Sequence, residues 1–127
     1  MRILNLEDNA FKHHNIAKTL KNAFPNRVTV DWERDLASGL EKIEEQLQAD
    51  EPYELIITDM WYPAHAGSGD SQSGEVLIRE VADMDVKIPI ILCSSVNYRY
   101  PEILGAVHYA EDSDWENELL ALVRSLF

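Results

Sequence analysis

The sequence predicts an α/β fold in which helices cover both faces of a parallel sheet. Two observations carry that expectation. Five short β-like runs alternate with stretches of helical periodicity, the pattern of βαβ units. The runs are also almost continuously apolar, as in LIIT and IPIILC, which suits strands buried on both faces. At 127 residues and 46% hydrophobic, the chain is sized for one compact domain spanning 1–127 with a substantial core.

The elements follow in order. RILNL (2–6) is the first run, and Asn9 is placed as N-cap for a helix whose apolar stripe is Ile16, Leu20, Ala23 and Phe24. Pro25-Asn26 ends it. VTVDW (28–32) is the second run, and behind Asp35 the residues Leu36, Leu40, Ile43 and Leu47 trace a helical face. ELIIT (54–58) is the third. Leu77, Val81 and Met84 mark the next helix, ahead of IPIILC (88–93) and GAVHY (105–109). Ser113 and Glu116 have capping-box spacing before Trp115, Leu119, Leu122 and Leu126, the clearest amphipathic stripe in the chain. Two segments break the rhythm. AHAGSGDSQSG, after Pro63, reads as a mobile polar loop, and SSVNYRYPEIL carries Pro101 and has room for about one or two helical turns.

Composition excludes several function classes. Net charge is −12, from 23 acidic and 11 basic residues, and so acidic a surface repels nucleic-acid backbones and anionic membranes. The single Cys93 allows no internal disulfide, and no signal-type or membrane-spanning apolar segment is present; the expectation is a soluble cytoplasmic protein.

The acids at strand ends carry the chemistry. In a parallel sheet the residues after each strand gather along one edge, where Glu7 and Asp8 follow the first run and Asp59 follows the third. If those strands are neighbours at a topological switch point, their carboxylates share one crevice. Hard oxygen ligands clustered there suit Mg²⁺. A lone acid after a strand is commonly a helix cap, and Asp8 taken singly fits that; LED together with TDMWYP favours the cation site.

The chain resembles a bacterial response-regulator receiver domain (CheY-like) along nearly its whole length. RILNLEDN is similar to that family's first strand and acidic pair, and LIITDMWYP to its third strand with the phosphoacceptor Asp and a Pro four positions on. SGEVLIREV, IPIILCSS and GAVHY match the third helix and the fourth and fifth strands in order. The resemblance implies a flavodoxin-like (βα)5 sandwich with strand order 2-1-3-4-5. It further implies Mg²⁺ held by Glu7, Asp8, Asp59 and the backbone carbonyl of Trp61, with phosphorylation on Asp59. Ser94 matches the switch hydroxyl and Tyr109 the switch aromatic. Read alone, Ser94 satisfies a backbone group at a strand end just as readily, and Tyr109 packs against the last helix.

Three departures qualify the resemblance. The Lys that the family carries three positions after the switch aromatic is here Asp112, and EDSDWE offers no substitute. Ser94 and Tyr109 are 15 positions apart, about one helical turn short of the family's habit, so the fourth helix is shortened or replaced by irregular chain. The insertion between Pro63 and Gly74 brings His65 and Asp70 near the site, as a lid, as extra ligands or as a solvated loop. His13 reads as a packing residue of the first helix.

The functional expectation is therefore a stand-alone phosphorelay receiver, not an enzyme. Its partners would be a sensor histidine kinase or phosphotransfer protein and a downstream protein, with neither nucleic acid nor membrane bound directly and a homodimer left open. The alternative is a phosphorylation-independent pseudo-receiver, an interaction module. A small metal-dependent phosphatase is disfavoured because Trp61 stands where a second catalytic acid would serve.

Overall fold

A computed structural model describing residues 1–127 contains β1 (Arg2–Leu6), α1 (Ala10–Ala23), β2 (Thr29–Glu33), α2 (Leu36–Gln48), β3 (Leu55–Thr58), β4 (Tyr62–Pro63), β5 (Asp70–Ser71), α3 (Ser73–Ala82), β6 (Ile90–Ser94), β7 (Gly105–His108) and α4 (Trp115–Arg124). Five of the strands form one parallel sheet in the order β2-β1-β3-β6-β7, which is the 2-1-3-4-5 order expected. β4 and β5 form a separate antiparallel hairpin.

Side-chain parity along the strands divides the core into two layers. Ile3, Leu55, Ile57, Ile91, Cys93 and Val107 face α1 and α4, packing on Ile16, Leu20, Leu119 and Val123. Leu4, Leu6, Ile56 and Ile90 face α2 and α3, packing on Leu36, Ile43, Leu77 and Val81. Both faces are covered, so the strands need no polar alternation. No helix is long and apolar enough to cross a membrane.

Helix starts follow local chemistry where the sequence offers it. Asn9 Oδ1 accepts from Lys12 N at 3.0 Å, and Asp35 Oδ1 from Ser38 N at 2.8 Å, so each relieves an orphan amide of the first turn. Asn26 adopts φ 61 just past α1, consistent with a helix stop there.

Three local expectations change. Ser113 does not cap α4; the N-cap position is Asp114, and the Ser113 hydroxyl donates to the carbonyls of His108 and Ala110 and so ties the loop after β7. The segment after Pro63 is held by hydrogen bonds rather than loose. The hairpin pairs Tyr62 with Ser71 and Pro63 with Asp70, Ala37 N donates to Ala64 O at 2.9 Å, and Ser73 Oγ donates to Tyr62 O at 2.6 Å. The connection from β6 to β7 contains no helix at all, the limit of the shortening expected there: residues 95–104 run as bends and turns, with Leu104 N anchored on Ile90 O at 2.9 Å.

Candidate functional site

The strand order creates a switch point between β1 and β3. The chain leaves β1 through α1 toward β2 on one side, and β3 enters on the other, so a crevice opens at their carboxyl ends. Glu7 and Asp8 follow β1, and Asp59 follows β3 with its amide donating to Leu6 O at 3.0 Å. One oxygen from each of the three carboxylates lies within 4.8 Å of the others. They line a cleft of about 900 Å³ with Lys12, Trp61, Asp70, Ser95 and Tyr109.

The backbone around Asp59 is tightly built. Met60 N donates to Asp59 Oδ1 at 2.8 Å, and Gly74 N donates to Met60 O at 3.0 Å. A Cβ on Gly74 would lie 2.2 Å from the Asp59 carbonyl oxygen and 2.8 Å from Met60 Cα. Only glycine lets the start of α3 approach the Asp59 loop this closely.

Among the acids stands a cation that counting along the chain from Tyr109 does not find. Lys12 begins the buried stripe Lys12, Ile16, Leu20 of α1 and is itself only 9% exposed. Its Nζ lies 2.9 Å from Glu7 Oε1 and 3.4 Å from Asp59 Oδ1, and it donates to Cys93 O at 2.7 Å. It also sits 5.2 Å from the centroid of the Tyr109 ring. The contact with Glu7 is a close buried ion pair, and Oε1 takes no other partner. Burial opposes the charge on Lys12, but the Glu7 and Asp59 carboxylates outweigh it and hold the ammonium above its ordinary range.

The same parity that sorts the core explains this grouping. Glu7, Asp59, Cys93 and Tyr109 continue the register of Ile3, Ile57, Ile91 and Val107, on the α1 side of the sheet. Ser94 is in the opposite register, paired with His108. It is buried, and its Oγ accepts from Val96 N at 3.3 Å; Ser95 is the residue that lines the cleft. Tyr109 packs on Trp115 with centroids 4.8 Å apart, and its hydroxyl accepts from Asn15 Nδ2 at 3.2 Å. Its side chain thus lies across the sheet from that of Ser94, and Asp112 is exposed in the following turn.

The remaining acids differ in environment. Burial raises the Glu7 carboxyl above its ordinary range, with Lys12 opposing. Burial also raises Asp8, and next in weight is Asp70, which the hairpin brings to the rim of the cleft. Of the two loop residues that the sequence brings near the site, Asp70 is the one that reaches the cleft. His65 is exposed, with Nδ1 3.3 Å from Ala66 O, and it does not join the acids. Trp61 is 45% exposed, and its Nε1 donates to Tyr98 Oη at 2.9 Å. His13 does pack, stacking on Trp32 at 4.3 Å with Nδ1 2.8 Å from Asn5 Oδ1.

The donor set suits a hard divalent cation. Three carboxylates converge, and the buried Glu7 Oε1 has no partner besides the Lys12 ammonium.

No family model matches the sequence, and no curated protein matches it. Solved structures do. RcsB from Salmonella enterica serovar Typhimurium, bound to promoter rprA in the presence of the phosphomimetic BeF3⁻, aligns with 98% of this chain at 20% identity and a TM-score of 0.68. The chain spans 62% of that RcsB chain. The phosphorylated cyanobacterial phytochrome response regulator RcpA aligns over 98% of this chain and 89% of its own, at 17% identity and a TM-score of 0.73. The Mn²⁺-bound form of response regulator Rcp1 aligns over 98% and 88%, at 18% identity and a TM-score of 0.66. The chain has the response-regulator receiver fold.

Proposed function

We propose that this chain is a cytoplasmic receiver module of a phosphorelay, in which Asp59 accepts a phosphoryl group over a Mg²⁺ held by Glu7, Asp8, Asp59 and the carbonyl of Trp61. The observation that carries the reading is the convergence of three carboxylates at the β1/β3 switch point. The likeness to RcpA, which is phosphorylated, and to Rcp1, which holds Mn²⁺, supports it.

In the step itself an Asp59 carboxylate oxygen bonds to phosphorus while the P–N bond of a phosphohistidine or the P–O bond of an acyl phosphate breaks. The electron pair leaves with the donor, and a departing nitrogen takes its proton from solvent. A divalent ion held by Glu7, Asp8, Asp59 and the Trp61 carbonyl would supply positive charge that offsets the charge of the transferring group. The Met60 amide fixes the carboxylate plane through Oδ1, which leaves Oδ2 as the oxygen for the incoming ligand. Ser94 would donate to a phosphoryl oxygen once its side chain, buried in the opposite register, turns toward the cleft. The donor is a histidine kinase or phosphotransfer protein, and the output is a change in affinity for a protein partner.

Incubation with Mg²⁺ and phosphoramidate or acetyl phosphate, followed by intact mass measurement, tests the reading. A single phosphoryl adduct that is lost in Asp59→Asn is expected. An unmodified protein, or an adduct surviving that substitution, overturns it.

The helix-free connection at 95–104 favours a second reading, a phosphorylation-independent interaction module. Under that reading Asp59→Asn leaves partner affinity unchanged, whereas the receiver reading predicts that affinity for the partner no longer responds to phosphodonor.

A further inference from the structure

We propose that Lys12, reaching in from the first turn of α1, is the cation that neutralises the phosphoryl group on Asp59. The inference rests on the receiver reading above and assigns to a helix residue the charge that the end of β7 does not carry.

The seat of the ammonium is built from four directions. Cys93 O takes one N–H at 2.7 Å, which leaves two facing Glu7 Oε1 at 2.9 Å and Asp59 Oδ1 at 3.4 Å. The Tyr109 ring forms the floor, 5.2 Å below, and is itself held by Asn15 on one side and Trp115 on the other. Asn9 fixes the helix start through the Lys12 amide. Four contacts therefore hold the ammonium inside the cleft.

Charge bookkeeping gives this seat a purpose. At rest, Glu7, Asp8 and Asp59 contribute three negative charges against one ammonium. Phosphorylation removes the Asp59 charge but adds a phosphoryl group carrying roughly two, so the site becomes more anionic at the side chain Lys12 already faces. A compact ammonium with three rotatable donors can keep the Cys93 bond and turn a second donor from Asp59 Oδ1 to a phosphoryl oxygen. Asp112 needs no cationic role, because the charge arrives from another element.

Opposed effects on two ligands separate this role from a merely structural one. Lys12→Met removes a positive charge from beside the carboxylates, so Mg²⁺ alone should bind as well as before or tighter. Beryllofluoride affinity at saturating Mg²⁺ and the rate of labelling by phosphoramidate should both fall, the latter on the order of a hundredfold, as for loss of one preorganised donor. Lys12→Met/Tyr109→Lys returns an ammonium from the strand end and should recover part of both. In unsubstituted protein, the buried Lys12 ammonium resonance should shift when beryllofluoride is added over Mg²⁺, which needs no folded variant. No shift at that resonance, or a folded Lys12→Met that is labelled at the original rate, overturns the proposal for Lys12 while leaving Asp59 as acceptor. Failure of the unsubstituted protein to take either ligand or label overturns both.

Discussion

The Lys12 ammonium lies 2.9 Å from Glu7 Oε1 in an environment where the two side chains are 11% and 2% exposed. Such a pair is costly to break from one side, because the remaining charge is left buried and uncompensated. Lys12→Met should therefore destabilise the metal-free protein by about 3–5 kcal/mol in urea unfolding. Mg²⁺ at a hundred times its Kd should raise the stability of either form by about 2.7 kcal/mol, and that of the variant by more where it binds the ion tighter. A destabilisation larger with Mg²⁺ than without it would count against a shared site.

Gly74→Ala should damage both fold and site. The added Cβ meets backbone, the Asp59 carbonyl oxygen at 2.2 Å and Met60 Cα at 2.8 Å, and backbone cannot rotate away as a side-chain tip can. A loss of about 1–3 kcal/mol is expected, with weaker Mg²⁺ binding because the Asp59 loop is displaced. Thermal unfolding and a Mg²⁺ titration check the two effects together. Gly69→Ala, whose Cβ would meet nothing within 4 Å, is the control.

Asp70→Asn should separate charge from coordination. Asp70 raises the Asp8 carboxyl across the rim of the cleft, so its neutralisation relieves repulsion in the metal-free protein. Stability should rise by no more than about 1 kcal/mol, as expected of exposed charges, while Mg²⁺ affinity falls through loss of one negative charge. Calorimetric titration of Mg²⁺ at two salt concentrations would reveal the screening expected of a rim charge.

His13 supplies a pH dependence. Burial first, then the charges of His14 and Lys21, lowers its pKa below 6.5. A histidine with a depressed folded-state pKa stabilises above its unfolded value and loses that contribution as pH falls through the folded one. The advantage of the unsubstituted protein over His13→Asn should thus be full above about pH 6.5 and shrink on acidification below it. An imidazole titration by NMR should place His13 below the ordinary histidine value.

The sheet was readable because its strands are uninterrupted apolar runs, and the α1 and α2 starts because Asn9 and Asp35 do what their side chains do elsewhere. Ser113 misled for a local reason: its oxygen accepts from Ala110 N at 3.0 Å while its hydroxyl donates to the carbonyls of His108 and Ala110, so it serves the preceding loop and not the helix start. The hairpin at 62–73 escaped notice because its order comes from distant partners, Ala37 among them. Lys12 escaped because motif spacing runs along the chain, whereas the cation arrives across space. A signal existed, since Lys12 stands four residues before Ile16 on a stripe that is otherwise apolar, one turn after two acids. A charge in that position has either a partner or a large penalty. The register of β7 was equally hidden, and it alone places Tyr109 under the ammonium rather than beside Ser94.

The irregular stretch at 95–104 bears on how news of an event at Asp59 travels. A helix is a rod that carries a small displacement undiminished to its far end, whereas an irregular connection takes up slack and damps it. The stiff members touching the acids are α1, through Lys12, α3, through Gly74, and the hairpin that Ala64 fastens to α2. Leverage in this molecule therefore runs toward its first three helices and away from the 95–104 stretch.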